Sequence, residues 1–307
     1  MAQTGVLLRK YVVSTMRMHC PDACPIKDLM NLPPDFAEGL PPPAHARPVL
    51  RVRDGEVAAV DDMLVDEVPV ALVYNGVSHA VMMATPADLE EFALGFSLSE
   101  GIIGSPVQCY GIDVERSAAG LAVHLDIASG AFMALKERRR SLAGRTGCGL
   151  CGVDSLDQVS RSLPQVAPAT GFHAAGVQRA LDAIGAGQRL THLTGAAHAA
   201  AWCGMAGEIR IAREDVGRHN ALDKVIGAMA RAGARPADGF VLITSRVSYE
   251  MAQKAAMAGV SALVGMSAPT LAAVELAEGV GMTLLAFARG RDFVCYTHAD
   301  RLGLVNA

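Results

Sequence analysis

Four apolar runs in the C-terminal half of the chain constrain its fold more than any other feature. Ala199 to Cys203, Phe240 to Thr244, Ala262 to Met266 and Thr283 to Ala288 are uncharged and apolar almost without interruption. A strand with one wet face alternates, so runs of this kind need cover on both faces. The stretches between them have helical spacing. Leu222, Val225, Ile226 and Met229 mark the buried face of a helix over about Asn220 to Ala232. A second helix runs from about Tyr249 to Ala258, and a third, begun by Ser267, Ala268 and Pro269, ends near Glu278. With Glu208 to Ala212 as a further strand, the alternation predicts a three-layer α/β domain. A length of 307 residues leaves room for one large domain or two ordinary ones, and 51% hydrophobic content excludes disorder as the main state.

Upstream the period changes to two. Val68, Val70, Leu72 and Tyr74 alternate before Asn75-Gly76, a strong hairpin signal, and Ser78 to Thr85 returns as the partner strand. Thr85 is expected to cap a helix with Pro86 at its first position, acidic residues Asp88, Glu90 and Glu91 in its first turns, and Leu89, Phe92, Ala93 and Phe96 on its buried face. Gly111 to Ile127 alternates again, and Leu135 to Arg140 is a basic helical segment. Before Val49 the chain is irregular, and Pro41-Pro42-Pro43 forbids a helix. The expected organisation is a flexible leader over 1–48, a smaller β-rich subdomain over 49–134, a basic segment with a glycine-bracketed loop over 135–165, and an α/β domain over 166–307.

Charge and cysteine content narrow the function classes. Lys plus Arg at 27 against Asp plus Glu at 31 gives a net charge of −4, so no global basic field exists to hold nucleic acid. Seven cysteines spread over the chain do not form the dense even framework of a secreted scaffold, which predicts a reducing compartment and a cytoplasmic protein. Met1 to Leu8 is followed, not preceded, by Arg9 and Lys10, so no export signal is expected. Ala255 to Val274 carries no charge, but Gly259, Gly265 and Pro269 break it, and no membrane span is expected.

Two sets of residues carry chemistry. Cys148-Gly149-Leu150-Cys151 lies between Gly147 and Gly152, with Arg145 and the run Arg138 to Arg140 nearby to favour a thiolate. A zinc site lacks its second cysteine pair. A zinc deaminase would need H-x-E and P-C-x-x-C, whereas His124-Leu125-Asp126 and Gly147-Cys148 stand here. A thioredoxin-like pair would open a helix after a strand. A mobile, cargo-carrying cysteine and a purely structural pair complete the alternatives, and spacing alone leaves all of them open. Cys20 and Cys24 beside His19 make at most half a metal site.

The second set gathers at strand ends. Gly217, Arg218, His219 and Asn220 open a helix whose free N–H groups attract anions, although Asp215 and Asn220 would serve equally as simple caps. Ser245-Arg246 and Phe287-Ala288-Arg289-Gly290-Arg291-Asp292 follow strands, where open α/β sheets bind ligands. Three arginine-bearing ends at one edge would hold a pyrophosphate. No Walker or G-x-G-x-x-G motif is present.

Taken together, Thr146 to Gly152, Glu214 to Lys224, Ser245 to Glu250 and Gln253 to Met257 resemble the formate dehydrogenase accessory sulfurtransferases, the FdhD family. The resemblance extends over about Asp66 to Leu302 and departs at Thr194 to His198, where a second glycine is missing. It implies a cytidine-deaminase-like α/β core without zinc chemistry and with no tightly bound zinc. It also implies a persulfide carrier at Cys148 with Cys151 as its companion, and a cofactor-binding segment at Phe287 to Asp292. The implied donor is a cysteine desulfurase. The implied substrate is the molybdenum bis(molybdopterin guanine dinucleotide) cofactor, destined for formate dehydrogenase, and homodimers are expected. The runner-up is a cofactor-holding chaperone without covalent sulfur transfer. The leader inherits nothing from the resemblance.

Overall fold

The computed structural model describes residues 40–143 and 163–303, over 139–143 as backbone alone. Two sheets and a separate ribbon organise these residues, which belong to a unit running from Phe36 onward. The ribbon is β1 (Ala44–Arg53) paired antiparallel with β2 (Glu56–Val65). Ala44 to Pro48, expected in the leader, are the first half of β1. The periodicity that marks a strand is weak there because most of these side chains meet solvent.

The first sheet has the order β4-β3-β6-β5, from β3 (Val68–Tyr74), β4 (Val77–Ala84), β5 (Cys109–Ser117) and β6 (Gly120–Ile127). β3 and β4 meet at the expected turn, where Asn75 and Gly76 both take positive φ, 45° and 78°, as a two-residue hairpin requires. The Asn75 amide also donates to the Ile127 carbonyl at 3.0 Å and accepts from the Ile127 N–H at 2.7 Å, tying the turn to β6. Over one face lies α1 (Leu89–Ser99), which buries Phe92, Ala93 and Phe96 with Leu72, Val123 and Leu125. α2 (Ser129–Ala143) adds Leu135 to this core.

The second sheet has the order β12-β11-β10-β9-β7-β8. Its strands are β7 (His198–Gly204), β8 (Ile209–Asp215), β9 (Gly239–Ile243), β10 (Ala262–Gly265), β11 (Thr283–Arg289) and β12 (Asp292–Cys295). β9, β10 and β11 run parallel, flanked by antiparallel neighbours. Every residue of β9 and β10 is buried. α5 (Arg218–Arg231), α6 (Tyr249–Met257) and α7 (Leu271–Val280) contribute to the core on one face. On the other lie α3 (Ala174–Ala183) and Phe172, whose ring packs tilted against that of Phe240 with centroids 5.2 Å apart. The six-residue α4 (Arg189–Thr194) precedes β7. The expected alternation from β7 onward is therefore present, within a mixed α/β fold.

Two expected caps are corrected. α1 begins at Leu89 after Asp88 in a left-handed conformation, while Thr85 bonds across to the second sheet instead of capping. α7 begins at Leu271, capped by the Thr270 hydroxyl, which accepts from the Ala273 N–H. Ser267 to Pro269 form the turn before it, and the Val247 N–H donates to the Ala268 carbonyl there. The uncharged stretch Ala255 to Val274 divides into the end of α6, β10 and the start of α7. Among the described residues no helix is long and apolar enough to cross a membrane.

Candidate functional site

Register places the predicted strand ends along one edge of the second sheet. Ala200 and Gly265 both pair with Ile243, and His198 pairs with Asp215. The Met266 N–H donates to the Ile243 carbonyl and the Phe287 N–H to the Ser267 carbonyl. Gly217-Arg218-His219, Ser245-Arg246 and Phe287 to Asp292 therefore share this edge, as the sequence predicts. Arg246, Arg289, Gly290, Arg291 and Asp292 are exposed there. Arg289 donates through Nε to the Met266 carbonyl at 3.1 Å, which leaves the rest of its guanidinium outward. The segment after β11 proves to be a bulged hairpin to β12, in which Arg289 pairs with Asp292. Phe287 has φ 53°, an uncommon conformation for a bulky residue, and its ring is 48% exposed beside these arginines.

At the other end of the edge, α5 and α6 point their N-termini at the same region. Arg218 Nε and Ser248 Oγ are shielded from water and have no hydrogen-bond partner among the described residues. His219 Nε2 lies 2.9 Å from Glu250 Oε2 on α6. Burial, and then the Arg218 charge, hold the pKa of both His219 and His198 below the usual imidazole value. A neutral imidazole is an acceptor or donor here rather than a second cation. Ser245 is buried and its hydroxyl donates to the Arg246 carbonyl at 3.1 Å.

Most of the charge in the Arg213 to Lys224 motif serves the fold. Arg213 forks onto Glu91 of α1 at 2.5 and 2.9 Å. Glu214 accepts from the Leu190 and Thr191 N–H groups, occupying the free donors at the start of α4. Asp215 is wholly buried, 2.7 Å from wholly buried Lys224, and also accepts from the Thr85 and Gly217 N–H groups and from Asn220 Nδ2. Neither Asp215 nor Asn220 is a mere cap. Lys224 completes the bond set by donating to the Thr85 and Glu214 carbonyls. A second buried pair joins Asp223 to Lys254 at 2.9 Å, with Ser99 and Glu100 of the first subdomain as further partners. Spacing did not reveal these partners. The available signal was charge: Asp223 and Lys224 interrupt a face otherwise made of Leu222, Val225 and Ile226.

Of the thiols, Cys109, Cys203 and Cys295 are reduced and described. Burial pushes all three pKa values up, that of Cys203 to about 12. Cys148, Cys151, Cys20, Cys24 and Arg145 lie outside the described residues. The basic run before the pair is anchored at Arg138, which donates to the Gly101 carbonyl at 2.7 Å. Among the described residues no group of three potential metal ligands occurs.

Comparison with known proteins identifies the class to which this mixed α/β protein, with its arginine-lined sheet edge, belongs. The FdhD/NarQ family profile matches residues 65–303, and the chain belongs to this family. It is 53% identical over 270 residues to the sulfur carrier protein FdhD of Cupriavidus necator, covering 88% of this chain and 94% of that one. It is 49% identical over 258 residues to the protein of the same name in Bordetella petrii, covering 83% and 93%. A crystal structure of a formate dehydrogenase accessory protein from Desulfotalea psychrophila superposes with a TM-score of 0.68 at 21% identity, covering 85% of this chain and all of that one. At that identity the likeness concerns the fold.

Proposed function

We propose that the chain is a sulfur carrier and sulfurtransferase whose working thiol is Cys148. One observation carries this: within the family-matched region, each described cysteine has its thiol pushed up by burial, so none supplies a thiolate near neutrality. Cys148 and Cys151, bracketed by glycines, are left for the chemistry that the relatives' names describe. A cysteine desulfurase presents a persulfide, and the Cys148 thiolate attacks its outer sulfur. The new S–S bond forms as the donor's breaks, and the donor departs as a thiolate. The outer sulfur would then pass to the molybdenum bis(molybdopterin guanine dinucleotide) cofactor, bound as a substrate, for formate dehydrogenase. The bond between that sulfur and the Cys148 sulfur breaks, Cys148 departs as a thiolate, and the reduced acceptor supplies the electron pair that makes the sulfur a sulfide and is itself oxidised by two electrons. The arginine-lined edge suits its pyrophosphates, with Arg218, Ser245, Arg246 and Phe287 to Asp292 as the binding residues.

In this reading the protein works in the cytoplasm as a homodimer, without bound zinc. The layering of the second sheet, with helices on both faces, supports the cytidine-deaminase-like core, and the two sheets support the division at 49–134 and 166–307. The test is intact mass after incubation with a cysteine desulfurase and cysteine. Wild type gains sulfur that reductant removes, Cys148→Ala gains none, and Cys151→Ala is milder. Equal loading of Cys148→Ala overturns the assignment. The second reading, a chaperone that holds the cofactor non-covalently, draws on the fact that the basic edge is built without any of the described cysteines. It predicts no sulfur gain in wild type.

A further inference from the structure

Thr85 stands just beyond the end of β4 in the first sheet, is wholly buried, and turns each of its polar atoms toward the second half of the fold. Its N–H donates to Asp215 Oδ2 at 3.1 Å, its carbonyl accepts from Lys224 Nζ at 3.1 Å, and its hydroxyl accepts from the Val216 N–H at 3.2 Å. Slightly upstream, the Met83 carbonyl accepts from Asn220 Nδ2 at 2.9 Å. These bonds converge on one short connection, Val216-Gly217, which joins β8 to α5. Both N–H groups of the connection are held from the side, that of Val216 by the Thr85 hydroxyl and that of Gly217 by Asp215 Oδ1 at 2.8 Å. The next residue is Arg218, whose Nε is shielded from water and has no hydrogen-bond partner among the described residues. A long side chain with nothing bonded to its Nε takes its direction from its backbone, and that backbone is fixed by a residue of the other half.

We infer that Thr85 is a positioning residue for the cofactor edge: its hydroxyl fixes the Val216-Gly217 connection so that Arg218 is presented to the cofactor's phosphates. The inference rests on the proposed function, which places Arg218 among the binding residues, and it gives the first sheet a part in binding at an edge of the second. Ordering a connection in the free protein removes that ordering cost from binding, so a held Arg218 binds more tightly than the same group on a loose backbone. The hydroxyl can be tested by itself. The other bonds of Thr85 are made by its main chain, so replacing its side chain leaves the buried Asp215–Lys224 pair and its partners in place.

Calorimetric titration of the full chain with GDP tests it. Thr85→Val keeps the branched shape and the main-chain bonds and removes only the hydroxyl, and it should weaken GDP binding about three- to tenfold, the worth of one neutral hydrogen bond. Thr85→Ser, which keeps the hydroxyl, should bind as wild type does. In an Arg218→Met background, Thr85→Val should change affinity by less than about twofold, because its effect runs through Arg218. Circular dichroism checks that each variant is folded, and Thr85→Ala takes the place of Thr85→Val if the valine variant does not fold. If Arg218→Met alone binds GDP like wild type, Arg218 lies outside the cofactor site, and that part of the proposed function falls together with the inference. If Arg218→Met weakens binding while Thr85→Val does not, the inference alone is overturned. The same holds if the loss in Thr85→Val is equally large without Arg218 or is absent only when threonine itself is present, since Thr85 then acts as a packing residue.

Discussion

Arg218 differs from its neighbours in the motif, whose charges are spent on the fold. Arg213, Glu214, Asp215, Asp223 and Lys224 all have partners on other elements, whereas Arg218 keeps its shielded Nε without a hydrogen-bond partner among the described residues. Its charge also depresses His198 and His219. Because their folded pKa values lie below the unfolded 6.5, both histidines contribute stability that is present above 6.5 and lost as pH falls through the lowered values. Urea midpoints should therefore drop from about pH 7 to about pH 5, and Arg218→Met should raise both imidazole pKa values by NMR titration. Unmoved imidazole titrations in that variant would show that Arg218 is not the cause. At the far end of the edge, Arg289→Ala or Arg291→Ala should weaken GDP binding, a fragment of the cofactor, by about 1.5 to 3 kcal/mol, or tenfold and more by calorimetry. If both variants bind like wild type, the nucleotide sits instead at Gly217 to Asn220 or Ser245-Arg246.

Among the elements, α1 and α5 cross with backbone against backbone. A Cβ on Gly95 would collide with the Asp223 carbonyl, and one on Gly227 with the Glu91 carbonyl. Neither neighbour is a flexible side chain that can move aside. Gly95→Ala and Gly227→Ala should each cost about 3 kcal/mol or more in urea unfolding, the upper range for overpacking. Lys224→Met should cost about 3 to 5 kcal/mol because it strands the wholly buried Asp215 carboxylate. A loss below about 1 kcal/mol would mean that backbone N–H groups alone satisfy that carboxylate. These contacts were not legible in the sequence, since a glycine inside a helical pattern does not say which backbone approaches it. The strands and helices from β7 onward were legible, because burial on both faces writes itself as continuous hydrophobicity. The Asn75-Gly76 turn was legible because φ > 0 at both positions restricts the residues allowed. Asp54-Gly55, with φ 52° and 86°, carries the same signal at the tip of the ribbon. Its strands are mostly exposed, so hydrophobic periodicity alone did not reveal the hairpin.

Across the whole molecule, the described residues on either side of 144–162 belong to different halves of the fold. On the N-terminal side α2 packs Leu135 into the core of the first sheet. On the C-terminal side Val166 joins the core of the second, where its N–H donates to the Val280 carbonyl at 3.0 Å. Thr85, Glu91 and Ser99 on one half bond to Asp215, Arg213 and Asp223 on the other. The arginine-lined edge belongs to the second sheet alone. Under the proposed function, accepting sulfur from a desulfurase would require the thiol and its access, whereas delivering it would also require cofactor on the edge, so the two steps should separate genetically. Arg291→Ala should take up sulfur from a desulfurase as wild type does, yet fail to support formate dehydrogenase activity in cells. Cys148→Ala should bind GDP with wild-type affinity and take up no sulfur. If Arg291→Ala loses sulfur uptake while keeping its fold, loading and cofactor binding share one surface, and the division of labour between the cysteine segment and the sheet edge is wrong.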